Sequence, residues 1–135
     1  MKTIKAIMVK PNETPKTIKL KVSIDSFNKA VSVDADYDCF ARCKRLEKGV
    51  YVLRADEDSS LFLTPNRKVG KEIIAGTFYV IAAKDGIPVS LNDKQTEKYM
   101  DRFSKIEEFS ESEALLLQLN ALSKELDEMS FELRI

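Results

Sequence analysis

The stretch IIAGTFYVIAA at 73–83 is the longest β-branched and aromatic run in the chain. Such a run is stable only where other strands pair with it and other layers cover it, so it predicts a central strand. Phe78 and Tyr79 are neighbours in it and must face opposite sides, one toward the core and the other outward or under a helix.

The other elements are read around that strand. Residues 4–10 (IKAIMVK) and 16–22 (KTIKLKV) alternate apolar with polar, which predicts two half-exposed strands, and PNETP between them suits a connection. Ser23 stands where an N-cap belongs, and Ile24, Phe27 and Val31 recur at helical spacing, so a short helix follows. Residues 37–46 (YDCFARCKRL) and 50–55 (VYVLRA) read as a hairpin about EKG, where Gly49 can take the positive φ of a tight turn. On a strand over 37–45, Cys39 and Cys43 share a face with Ala41 between them, as small core residues do. The acidic ADEDSS reads as a turn, LFLT as a short strand, TPNRKVGK as a loop and KDGIP as the turn that closes the central strand.

After residue 90 the period becomes helical. Asn92 with Gln95 resembles a capping box and opens a helix from Asp93 to about Glu108, with Tyr99, Met100, Phe103 and Ile106 on one face. Ser110 and Glu113 open another, in which Leu115, Leu119, Leu122, Leu126, Met129 and Leu133 keep an a/d spacing. The expected class is α+β, a mostly antiparallel sheet of about six strands with one short helix after the second strand and two C-terminal helices. Residues 1–109 make the sheet domain with the first of these helices, and 110–135 a heptad-like helix that packs on the sheet or on a partner subunit. A continuous apolar stripe must be covered, so the chain is expected to form a homo-oligomer through it.

Composition removes many functions. The chain has 22 Lys+Arg, 22 Asp+Glu and no His, which disfavours general nucleic-acid coating and excludes His-based triads and His-ligated metals. Two cysteines alone cannot complete a zinc site, and an EF-hand begun at Asp34, with Asp36 and Asp38 following, would find Cys39 and Arg45 where it needs Gly and Glu. No P-loop or nucleophile-elbow pattern occurs. No run approaches the ~20 apolar residues of a membrane span, and MKTIKAIMVK lacks a signal peptide's apolar block. The expectation is a cytoplasmic, non-enzymatic protein with no cofactor and no metal.

Charge is nevertheless uneven. Through Arg54 there are 12 basic and 6 acidic residues, whereas from Glu111 onward there are 2 and 6, so the sheet half offers a surface for an anion or for an acidic helix. Asn66 and Arg67, beside Lys68 and Lys71, could hold a phosphate or carboxylate from a loop. Arg102 and Phe103 on the first C-terminal helix could meet the sheet at a cleft able to stack a base.

The segments LTPNR, IIAGTFYVI and SLNDKQTEKYMDRF, in that order, resemble an uncharacterised family of small proteins from phages, plasmids and conjugative elements of Firmicutes, filed as a domain of unknown function. The resemblance runs from about Lys5 to Phe103, is most specific at IAGTF and EKYMDRF, and implies an accessory protein of a mobile element inside a bacterial host. In layout alone the chain is similar to the Thoeris anti-defence sponge proteins of phages, oligomers that sequester cyclic nucleotides. That similarity implies base stacking by Phe78, phosphate contacts from Arg54, Arg67 and Arg102, and polar contacts from Asn66. Sequestration of a small phosphorylated or cyclic nucleotide is therefore the expected function. The alternative is an inhibitor that binds a host enzyme through its acidic C-terminal helix.

Overall fold

The computed structural model describes residues 2–116. Its centre is an antiparallel sheet built from β1 (Thr3–Val9), β2 (Lys16–Lys21), β3 (Ala41–Glu47), β4 (Val50–Ala55), β7 (Phe78–Lys84) and β8 (Ile87–Val89). The order is β2-β1-β7-β4-β3, with β8 also on β7. A second, two-stranded sheet pairs β5 (Pro65–Val69) with β6 (Glu72–Ala75), and the helices α1 (Ile24–Val31), α2 (Glu57–Ser60) and α3 (Asp93–Arg102) complete the described elements. A further helix opens at residue 111. The class is α+β with a mostly antiparallel six-stranded sheet.

β7 is central because it is apolar on both faces. It pairs with β1 at Phe78–Val80 and with β4 at Tyr79–Ala82. Alternate residues enter two separate cores. Tyr79 and Ile81 meet Ala30 and Val31 of α1, with Ile4, Leu20 and Leu53. Phe78 and Val80 meet Tyr99 and Phe103 of α3, with Val69 and Ile74 of the small sheet. Both aromatic neighbours are thus covered, on opposite sides, as period-2 geometry demands.

The local signals that act over a few residues are realised. The Ser23 hydroxyl accepts from the Ser26 N–H at 3.0 Å to cap α1. Asn92 and Gln95 form a complete capping box on α3, and Gly49 turns β3 into β4 at φ +82°.

Elsewhere the structure corrects the reading. The run 73–83 is two strands, because Gly76 at φ +76° turns the chain out of the small sheet and into the large one. A methyl group at Gly76 would stand 2.8 Å from Leu63 Cδ1. TPNRKVGK is no loop: Pro65–Val69 is β5, turned back at Gly70. LFLT is no strand, since Asp56 caps α2 through the Ser59 N–H and residues 61–63 form the turn after it. The third strand starts at Ala41 rather than 37, so Cys39 is buried while Cys43 is exposed, and they do not share a core face. α3 stops at Arg102 with Phe103 as its C-cap, which leaves Ile106 exposed. Of the a/d stripe, Leu115 is described and 55% exposed; Leu119, Leu122, Leu126, Met129 and Leu133 lie outside the described residues.

The Tyr79 hydroxyl donates to the Ala30 carbonyl at 2.8 Å and ties β7 to the end of α1. Burial, aided by the charge of Asp34, pushes its pKa up to about 12 from 10.0. A phenol held neutral by folding stabilises fully below its unfolded pKa and loses that contribution as pH rises toward the folded one. Stability should therefore fall between about pH 10 and 12, at a slope of no more than ~1.4 kcal/mol per pH unit. Tyr79→Phe, though weaker at neutral pH for want of its hydrogen bond, should show a flatter profile in that window; an unchanged alkaline slope in denaturant titrations would count against this account.

Candidate functional site

Three of the five residues expected to bind a ligand converge on Phe103, two of them, Phe78 and Arg67, as internal packing. The Phe78 ring meets Phe103 edge-on, with centroids 5.3 Å apart at 77°. Arg102 is exposed, and its guanidinium carbon lies 5.3 Å from the Phe103 centroid. Arg67 donates through Nε and Nη2 to the Phe103 carbonyl, at 3.3 and 3.1 Å.

The guanidinium of Arg67 is fully buried, at 0% exposure. Its Nη2 also donates to the Glu13 carbonyl at 2.7 Å, and its Nη1 to the Asn66 carbonyl and Oδ1 at 3.3 and 2.8 Å. A guanidinium has five N–H groups, and all of them are engaged. Burial lowers the Arg67 pKa, and the charge of Glu107 opposes this. Asn66 completes the arrangement, its amide nitrogen donating to the Val9 and Gly76 carbonyls at 2.8 and 2.9 Å. The pair therefore pins β5 to the end of β1, the turn at Glu13 and the end of α3.

Arg54 belongs to a different cluster. It donates to Glu72 and, at 3.0 Å, to the Ser60 hydroxyl, while Lys44 reaches Glu72 at 2.8 Å. Burial raises the Glu72 pKa, but the Lys44 bond and the Arg54 charge outweigh it and hold the carboxyl below its ordinary value. Every buried side-chain N and O among the described residues has a hydrogen-bond partner. Arg54, Asn66, Arg67 and Phe78 thus act in this structure as fold-holding residues, and only Arg102 faces solvent. For Asn66 and Arg67 the reason is that β5 is a covered strand where a solvent-facing loop was expected.

Three aromatic residues among those described face solvent. Phe62 is 76% exposed, Phe40 64% and Tyr37 47%, well beyond the scattered single apolar residue of an ordinary surface. Two loops carry them. The 32–40 loop carries Tyr37 and Phe40, the turn after α2 carries Phe62, and the Tyr37 and Phe62 rings meet edge-on at 6.4 Å. Both loops are fixed by side chains. Asp34 accepts from the Thr77 N–H at 2.8 Å and from its hydroxyl. The Ser32 hydroxyl accepts from the Cys39 N–H at 2.7 Å. The Phe40 N–H donates to Asp56 Oδ1 at 3.0 Å, and its carbonyl accepts from the Asp56 N–H at 2.8 Å. Asp34 is therefore a loop anchor, separated in role from Asp36 and Asp38, which are exposed.

Sequence reasoning misses these aromatics because YDCFARC and LFLT read as strands. The available signal is their company: Tyr37 stands between Asp36 and Asp38, and Phe62 follows Asp56, Glu57 and Asp58. Thr64 and Pro65, just after Phe62, form one wall of a groove of about 410 Å³ whose other wall includes Glu108, Phe109 and Glu111. Among the described residues no helix is long and apolar enough to cross a membrane.

Fold and surface together define an α+β domain whose buried polar groups hold the fold and which exposes Tyr37, Phe40 and Phe62 on loops rich in acidic residues. Residues 4–104 match the model of a domain of unknown function, DUF3846, and the chain belongs to that family. No curated protein matches the chain, and no solved structure does.

Proposed function

We propose that the protein is a non-catalytic accessory protein that acts by binding another protein. The observation that carries this reading is the exposure of Tyr37, Phe40 and Phe62, with the Tyr37 and Phe62 rings in contact and the loop that carries Tyr37 and Phe40 pinned by Asp34, Ser32 and Asp56. Exposed aromatics on a rigid frame lose little conformational entropy when covered, which is what a binding hot spot requires. Nucleotide sequestration is less favoured. Of the arginines expected to hold phosphate only Arg102 is exposed, and Arg67 would have to leave the Phe103, Glu13 and Asn66 carbonyls to join it. Service to a phage or mobile element in a bacterial cytoplasm is part of the proposal and is supported by the sequence resemblance alone. Self-association through Leu115 and the stripe that continues to Leu133 is also part of the proposal, supported by the a/d spacing in the sequence and by the exposure of Leu115.

A photo-crosslinking residue at position 62, introduced in living host cells, should give one discrete heavier adduct that disappears when Phe40 is also replaced by Ser. Crosslinks no more specific than those from exposed Lys84 would overturn the reading. Calorimetric binding of a cyclic nucleotide that is lost with Arg102→Ala would restore sequestration in its place.

A further inference from the structure

We infer that the Tyr37–Phe40–Phe62 patch is a docking surface for a cationic, apolar segment of a partner protein; this rests on the protein-binding reading and adds the partner's chemistry. The rings supply apolar area and π-faces, and the charges that flank Tyr37 and precede Phe62 in sequence are acidic, exposed Arg42 beyond Phe40 being the exception. Asp36 and Asp38 flank Tyr37 in sequence and are exposed, and Asp58 is exposed on α2, four residues before Phe62. The groove that starts at Thr64 repeats the combination, with Phe109 beside Glu108 and Glu111.

That chemistry discriminates among occupants. An aromatic face attracts Lys and Arg through its quadrupole, and carboxylates around it add to the attraction. The same carboxylates repel phosphate, so stacked bases of a nucleic acid are disfavoured even though the rings could stack them. They also repel this chain's own C-terminal segment, which from Glu111 onward carries 6 acidic and 2 basic residues. A second copy docking by its acidic C-terminal segment is thereby disfavoured at this patch. A segment with Lys or Arg interleaved with Leu-sized residues satisfies both the rings and the rim.

The test uses the full chain and two synthetic amphipathic peptides of identical pattern, one of Leu and Lys and one of Leu and Glu, followed by amide chemical shifts. The Leu/Lys peptide should shift Tyr37, Phe40 and Phe62, and Phe62→Ser should weaken it about tenfold or more without changing the melting temperature. Asp36→Lys with Asp38→Lys should reverse the preference toward Leu/Glu. Equal binding of both peptides at the patch, or preference for Leu/Glu by the native chain, overturns the cationic partner while leaving the patch a docking surface. Shifts confined to other regions, together with no specific crosslink from position 62 in cells, overturn the inference and the protein-binding reading alike.

Discussion

Replacing Arg67 by Met should destabilise the domain by about 3 to 5 kcal/mol, a large share of the 5 to 15 typical of a folded domain. The side chain fills a fully buried site, and its N–H groups satisfy carbonyls from three separate segments: Glu13 after β1, Asn66 within β5 and Phe103 at the end of α3. Met replaces the volume but none of the donors, and each buried acceptor left unpaired costs about 1 to 3 kcal/mol. Arg67→Lys should recover little, because an ammonium cannot span three carbonyls with the guanidinium's planar fork. Thermal unfolding should show a drop on the order of 10 °C or more. Hydrogen exchange should show lost protection at Phe103 and Ser104, whose N–H groups bond Tyr99 and Asp101. A variant that melts with the wild type would mean that the guanidinium is not an internal tie.

Phe78→Ala should cost a similar ~3 to 5 kcal/mol, the usual range for deleting a buried phenyl ring. Phe78 is 0% exposed and stands between β7 and α3, edge-on to Phe103, whose ring in turn stacks on Tyr99 at 6.5 Å and 22°. Phe78→Leu keeps most of the volume and should cost less than about 1.5 kcal/mol. The two substitutions meet at Phe103, so Arg67→Met with Phe78→Ala should be less than additive if both release the end of α3. Chemical denaturation of the single and double variants measures this, and full additivity would show that the contacts act independently.

The two hairpins, α1 and the start of α3 are legible because their determinants lie within a few residues: alternation, Gly49, Ser23, and the Asn92–Gln95 pair. β5 is not. Pro65, Asn66 and Arg67 form a strand because of partners far along the chain. Asn66 bonds Val9, 57 residues away, and Arg67 bonds Glu13 and Phe103, 54 and 36 residues away. A polar stretch that is buried by distant carbonyls looks in any short window like a solvated turn. The site suffers from the same confusion. Arg54, Asn66 and Arg67 have the chemistry to bind anions, and the fold uses that capacity on its own carbonyls and on Glu72. Phe40 and Phe62 escape a reading of the sequence because aromatic runs ordinarily predict strands. The pinning of residues 32–40 by Thr77 and Asp56 places Phe40 on a loop, and the turn that follows α2 does the same for Phe62.

The strand order β2-β1-β7-β4-β3 also sets a timetable. On the ribosome the β1–β2 and β3–β4 hairpins emerge complete long before β7, the one strand that joins them, leaves the exit tunnel. In that interval β1 and β4 each present an unpaired edge beside apolar Ile7, Val9, Val50 and Val52, a combination that invites mispairing with other nascent chains. The lysines of the first hairpin, Lys5, Lys16, Lys19 and Lys21, give it a like charge that keeps such intermediates apart. A pause after β4 has emerged and before β7 leaves the tunnel should prolong the exposed interval and lower the yield of correctly folded protein.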